Sequence, residues 1–152
     1  MRASFIFTLT ACLSAVSIAN AQCNASELKN QCLPQMASGF NFIKSYTIDG
    51  TKRANAKVEY SYVFCKDTQY MINICSHDQQ ANGIIVSLFD SKRNLVASSN
   101  IDNKALTRLA YQCNSSGIYY MQYTFAGTST YCGGSALAFK RNSLQGHSSS
   151  VK

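Results

Sequence analysis

The chain has 152 residues and a formal net charge of +7, with seven cysteines and no tryptophan. Its basic residues occur in scattered pairs such as Lys92-Arg93 and Lys140-Arg141 rather than in one long run, which fits solvated turns and argues against nucleic acid as a partner. After removal of the leader described next, the remainder has the size of one ordinary domain.

Residues 1–21 have the pattern of a cleavable signal peptide. Met1-Arg2 supplies the positive start, an uncharged apolar stretch follows, and Ala19-Asn20-Ala21 gives the small-x-small cleavage pattern. Cleavage would expose Gln22. The apolar stretch is shorter than the ~20 residues that a bilayer span needs, so we predict export and no membrane span.

A lipid anchor is the alternative interpretation of this leader. The segment Leu9-Thr10-Ala11-Cys12 resembles a lipobox, in which the cysteine is lipidated and becomes the new N-terminus. This segment lies early in the leader, and apolar residues continue beyond Cys12, which argues against lipidation there. We therefore expect a secreted, extracellular or periplasmic protein, with a lipid-anchored form through Cys12 as the minor hypothesis.

A short helical segment is predicted from Cys23 to Ser38. Ser26 is the expected cap, and Pro34 is expected to kink or split the segment. One helical face carries side chains at a spacing of four residues: Leu28, Cys32 and Met36.

The chain then changes to the alternating pattern of β-strands. Each run is bounded by Gly, Asn, Asp or Ser, and 90–94 forms the polar turn of a hairpin. The predicted strands lie at 40–49, 58–65, 70–75, 84–89, 95–98, 106–113, 118–125 and 132–139. About eight strands at near-regular spacing predict an all-β fold, an antiparallel β-sandwich or jelly roll, as a single domain at 22–141. The polar, Ser-rich residues 142–152 are expected to form a disordered tail.

Cys12 would leave with the leader, and six cysteines would remain. An even number in an exported chain predicts disulfides, and no C-x-x-C pair suggests a zinc or redox site. The sequence does not choose among the possible pairings, although Cys23 with Cys32 is the natural local pair. The six predicted disulfide cysteines are Cys23, Cys32, Cys65, Cys75, Cys113 and Cys132.

Four strand motifs resemble those of the bacterial pre-peptidase C-terminal (PPC-like) domains. They read Tyr60-Ser61-Tyr62-Val63-Phe64, Tyr70-Met71-Ile72-Asn73-Ile74, the run from Val86 to Val96, and Gly117 to Tyr123. The resemblance implies a β-sandwich that acts as an accessory or binding module, and it transfers no catalytic residue. The helical prefix and the cysteine set are departures from the family pattern.

No catalytic or metal-binding signature is found. The two histidines are His77, at a predicted strand end, and His147, in the tail near Ser143, and neither is placed to activate a nucleophile on rigid elements. Four loop carboxylates have turn-forming contexts and no calcium-loop spacing: Asp67, Asp78, Asp90 and Asp102. We predict no catalysis, no cofactor and no metal.

Tyrosine is the enriched side chain with binding potential. Since neighbours on a strand point to opposite faces, Tyr119 or Tyr120 must face outward. An outward tyrosine suits stacking on a sugar or contact with a protein, and cross-strand packing is the alternative explanation. The candidate binding surface is Tyr119, Tyr120, Tyr123 and Tyr131.

Three functional hypotheses follow, and the third, a small hydrolase, is disfavoured because the sequence has no recognisable nucleophile–base pair. The first is a secreted, non-enzymatic binding module for a surface glycan or a protein. The second is a structural subunit of an envelope or extracellular assembly that self-associates through strand edges. N-glycosylation sequons at Asn24 and Asn114 would carry surface glycans in a eukaryotic source.

Overall fold

The structure is a computed structural model that describes residues 23–33, 36–50, 56–76, 83–126 and 131–141. The predicted leader with its cleavage site and Cys12, the predicted tail, Pro34, and both histidines lie outside the described residues. The elements are α1 (Ala25–Gln31), β1 (Asn41–Asp49), β2 (Val58–Phe64), β3 (Thr68–Cys75), β4 (Ile84–Phe89), β5 (Leu95–Ser98), β6 (Asn100–Ile101), β7 (Lys104–Ala105), β8 (Arg108–Cys113), β9 (Gly117–Phe125) and β10 (Cys132–Arg141).

Eight of the strands form two antiparallel four-stranded sheets. The first sheet has the order β1-β10-β3-β8 and the second β2-β9-β4-β5, while β6 and β7 pair as a separate ribbon. The predicted antiparallel β-sandwich with a short N-terminal helix and disulfides is confirmed. The ribbon was not predicted from the sequence, because two-residue strands carry no readable alternation.

Alternating side chains of both sheets fill the space between them. On β2 the inward face is formed by Val58, Tyr60, Tyr62 and Phe64, and Phe64 at the end of the strand is fully buried. Phe64 stacks on Tyr70 at 3.8 Å and on Tyr119 at 4.9 Å between ring centroids, so aromatic rings from both sheets interdigitate. The largest fully buried apolar side chains of this core are Tyr123, Phe64, Ile48, Ile72, Leu88, Met121, Leu137 and Val86.

Helix α1 covers the outer face of the first sheet. Its N-cap is Asn24, whose side chain accepts from the Glu27 N–H, so the predicted cap at Ser26 is wrong. The helix packs mainly on β10 and β1. A side chain at Gly134 would overlap the backbone of Lys29, so glycine is what permits this close approach. Because of this cover, β10 is buried on both faces from Cys132 to Ala138.

Two disulfides fasten the helical segment to the first sheet. They join Cys23 to Cys132 and Cys32 to Cys75, across 109 and 43 residues of chain. The local pair Cys23–Cys32 is therefore wrong, because each of these cysteines flanks the helix and faces a different strand of the sheet. Closing loops of this length restricts the unfolded chain by about 4 kcal/mol each.

Cys65 and Cys113 are free in the structure, which differs from the expectation that all six cysteines are paired. Cys65 is exposed after the end of β2. Cys113 is buried, and its Sγ lies 3.1 Å from the carbonyl oxygen of Ser115.

Three turns gather at one end of the sandwich, which we call the turn end: 65–67, 90–94 and 114–116. Two of them cross between the sheets side by side. The Lys66 N–H donates to Ser116 Oγ at 2.8 Å, and the Asp67 N–H donates to the Cys113 carbonyl at 2.9 Å. Both disulfides and the β6–β7 ribbon lie toward the opposite end, as the strand registers require.

Candidate binding surface at the turn end

The four tyrosines predicted as a binding surface do not form one. Tyr119 and Tyr123 point into the core, where their hydroxyls donate to the Ser115 carbonyl at 2.9 Å and to Ser135 Oγ at 2.8 Å. Burial raises the pKa of both tyrosines. For these two residues, the structure corrects the prediction in favour of core packing.

Tyr120 faces outward on the second sheet, as the alternation predicted for one member of the Tyr119–Tyr120 pair. The Arg93 guanidinium lies 3.6 Å from its ring centroid, in cation–π geometry, and also forms a 2.8 Å ion pair with Glu59. The hydrogen bond from Arg93 lowers the pKa of Glu59. The outer ring face of Tyr120 is thus already occupied by a side chain of the same protein.

Tyr131 reaches solvent at the start of β10, near the opposite end of the sandwich. Its ring packs edge-on against Phe125 with 5.4 Å between centroids. Tyr120 and Tyr131 therefore face solvent in separate places.

An exposed apolar pair marks the turn end instead. Val63 on β2 and Ile118 on β9 are directly opposite in the strand register, and 58% and 47% of their surfaces are exposed. The next pairs along the same outer face are Ser61 with Tyr120 and Glu59 with Gln122, which are polar or amphipathic. The sequence did hold a signal for this pair. Along β2, Val63 alternates with the inward side chains, so it shares the outward face with the polar residues Glu59 and Ser61.

A polar groove lies on one side of this apolar pair. Its volume is about 360 Å³, and it runs between the turns 90–94 and 114–116, with Ile118 in its lining. Asp90 orders the first turn because one carboxylate oxygen accepts the N–H groups of Lys92 and Asn94, both at 2.8 Å. The hydrogen bonds from Asn94 are the main cause that lowers the pKa of Asp90.

A smaller apolar pocket lies on the other side of the pair. It has a volume of about 200 Å³ and opens between β1 and β2, which are the neighbouring edge strands of the two sheets. Val63 is part of its lining. Its walls are mostly apolar and aromatic, formed by Ile43, Tyr62, Tyr70 and Phe139.

In the part of the chain that the structure describes, no three His, Cys, Asp or Glu side chains are grouped so that they could hold a metal ion. No helix in the same part is long and apolar enough to cross a membrane. Asn114, one of the two sequon asparagines, is exposed and lines the polar groove, whereas Asn24 caps α1.

The fold and this surface define a disulfide-anchored antiparallel β-sandwich with an exposed apolar pair at one end. No family model matches the chain, and no curated protein matches it significantly. Among solved structures, it is similar to PliG of Aeromonas hydrophila, described as a periplasmic lysozyme inhibitor of g-type lysozyme. That similarity has 15% sequence identity, a TM-score of 0.44, and coverage of 70% of this chain and 90% of that one. At this TM-score it carries no functional inference, and the PPC-like resemblance stays a prediction.

Proposed function

We propose that this protein is an exported, non-enzymatic binding module that contacts a protein partner through the turn end of its sandwich. The observation that carries the proposal is the exposed Val63–Ile118 pair between a polar groove and an apolar pocket. A protein is favoured over a glycan because the tyrosine surface that would have suited sugar stacking is not formed.

The turn end has the anatomy of a protein-binding surface. Protein interfaces combine an apolar centre, where few charges occur, with a polar rim that supplies hydrogen bonds. Val63 and Ile118 would form the centre, and the two turns lining the polar groove would form part of the rim.

The rim is held in place before any partner arrives. Asp90 fixes the turn 90–94 through three hydrogen bonds, and Ser116 ties the turn 114–116 to Lys66. Ordering loops on binding costs affinity, so preformed turns favour association.

Export is supported by the two disulfides. Disulfides persist in oxidising compartments and are rare in the cytosol. Together with the predicted leader, they support a location in the periplasm or outside the cell.

The test is capture of the partner from the natural extracellular or periplasmic fraction by the tagged, full-length protein, with cross-linking and mass spectrometry. Two variants, Val63→Ser and Ile118→Ser, are compared with Ile101→Ser. Ile101 is exposed to a similar 54% but lies on the β6–β7 ribbon, far from the turn end. The proposal expects each turn-end variant to lose about tenfold or more in affinity, in the range of an interface residue worth more than 1 kcal/mol, while Ile101→Ser retains wild-type binding.

Equal capture of the partner by all three variants would show that the contact does not involve the turn end, and it would overturn the proposal. Recovery of the protein itself alone, with dependence on its concentration, would favour the assembly-subunit hypothesis, in which strand edges pair. Retention on surface glycan without a protein would overturn the choice of partner.

A further inference from the structure

The apolar pocket beside Val63 has the size of a side chain. Ile43, Tyr62, Tyr70 and Phe139 line its walls, and its volume is about 200 Å³. An apolar cavity of about 150 Å³ is enough to bind a benzene ring. The pocket therefore has room for one phenyl or branched aliphatic group.

Its position allows a partner to reach it. The pocket opens between the edge strands β1 and β2, each of which pairs with a strand on one side only in the described structure. Val63 belongs both to the pocket lining and to the exposed apolar pair. A partner resting on that pair would thus extend into the pocket without a break in the contact.

The charge at the pocket is of one sign. Arg141 is exposed and is part of the lining, and none of the described lining residues is acidic. The ion pair found in the described residues joins Arg93 and Glu59, so it does not neutralise Arg141. The residues that follow Arg141 in the chain contain neither Asp nor Glu.

We infer that this pocket takes an apolar side chain of the partner that has a carboxylate next to it, with Arg141 pairing the carboxylate. The inference rests on the proposed protein-binding function and names the chemistry of the partner's anchoring segment. Arginine suits this role because its planar guanidinium can donate two parallel hydrogen bonds to a carboxylate.

Cys65 supplies a reporter that does not require the partner. Its free, exposed thiol lines the same pocket, whereas the free thiol of Cys113 is buried. In the folded protein, alkylation by iodoacetamide should therefore modify Cys65 first, and the site can be assigned by mass spectrometry. A ligand seated in the pocket should slow this reaction.

The experiment measures the rate of Cys65 alkylation in the exported protein with 3-phenylpropionate, with its neutral analogue 3-phenylpropionamide, and with acetate at equal ionic strength. A fragment of this size is expected to bind at millimolar concentration, so saturating phenylpropionate should slow the reaction by about threefold or more. The amide should protect less, and acetate should not protect. Arg141→Gln should remove the difference between acid and amide, whereas Lys104→Gln, which removes the same charge from β7, should preserve it.

Other outcomes overturn the inference. Equal protection by the acid and the amide would show an apolar pocket without preference for a carboxylate. Protection by neither probe would show that the pocket does not bind these ligands. The proposed function would then be judged separately: Ile118 does not line this pocket, so loss of partner capture by Ile118→Ser would still support it. A several-fold rise in the rate of Cys65 alkylation without ligand in Leu144→Ser would identify the chain's own C-terminal segment as the occupant. An alkylation rate that falls as the protein concentration rises would identify a second copy of the protein as the occupant.

Discussion

At the scale of single residues, the buried hydroxyl of Tyr46 is the feature with the clearest energetic consequence. It has no hydrogen-bond partner among the described residues, although the tyrosine is almost completely buried. A buried polar group without a partner keeps its full desolvation cost. Burial, with nearby Tyr62 and Tyr60, also raises the pKa of Tyr46 to about 12.

Replacement of this residue should therefore stabilise the protein. Tyr46→Phe keeps the ring, which packs on Tyr60 at 4.6 Å, and removes only the hydroxyl. We expect a gain of about 1 kcal/mol in the free energy of unfolding, measured by urea denaturation at neutral pH.

Tyr123→Phe is the matched control. Its hydroxyl donates to Ser135 Oγ in the core, so its removal leaves a buried serine unpaired and should cost about 1–2 kcal/mol. If both variants shift the unfolding midpoint in the same direction, hydrogen-bond satisfaction does not account for the difference between these two tyrosines.

At the scale of elements, the contact between α1 and β10 depends on one glycine. Gly134→Ala would place a methyl group against the backbone of Lys29, which cannot move aside as a flexible side chain would. We expect the helix to be displaced at a cost of about 1–3 kcal/mol. Amide hydrogen exchange should speed up in α1 more than in β4 or β9.

Gly117→Ala provides the comparison within the same fold. No atom lies within 4 Å of a side chain added there, and alanine should be neutral or stabilise by about 0.5 kcal/mol by restricting the unfolded chain. A loss of stability at Gly117 equal to that at Gly134 would mean that steric overlap is not the cause.

The same elements show how far the sequence could predict the fold. Strands such as β2 were readable because one face meets the core and the other meets solvent. On β3 and β10 both faces are buried, so the alternation does not reveal that a helix covers the outer one. The disulfide pairing was not readable for a related reason, since Cys32 and Cys75 are brought together by the docking of α1 on the sheet.

The candidate surface was harder to predict than the fold. The alternation of side chains correctly predicted that Tyr119 and Tyr120 point to opposite faces of the sheet, but it could not show which of them faces the core. The Val63–Ile118 pair depends on the register between β2 and β9, which is a property of the assembled sheet. Residues from distant turns, such as Asp90 and Ser116, line one groove only after β4 and β9 have paired.

At the scale of the whole molecule, the buried tyrosines predict a loss of stability in alkali. Burial is the main cause that raises the pKa values of Tyr46, Tyr70, Tyr119 and Tyr123 in the folded state. In the unfolded chain these tyrosines ionise near pH 10. The folded protein then binds more protons than the unfolded one, so its stability is complete below about pH 10 and falls as the pH rises toward the raised values.

The measurement combines urea unfolding at a series of pH values with the ultraviolet absorbance of tyrosinate. We expect the free energy of unfolding to be flat from neutral pH to about pH 10 and then to decline, with the buried tyrosines ionising together as the fold is lost. Ionisation of all tyrosines near pH 10 in a protein that remains folded would contradict this expectation.

The burial of Cys113 has a consequence for the lifetime of the protein. In the native state, both disulfides lie at the end of the sandwich away from Cys65 and Cys113, so the fold keeps thiol and disulfide sulfur apart. Global unfolding exposes Cys113 and ends the separation, so that a thiolate can attack Cys32–Cys75 or Cys23–Cys132 and exchange one bond for another. A chain that opens for long enough would be trapped in scrambled covalent isomers, so its survival would depend on how rarely it unfolds as well as on its equilibrium stability.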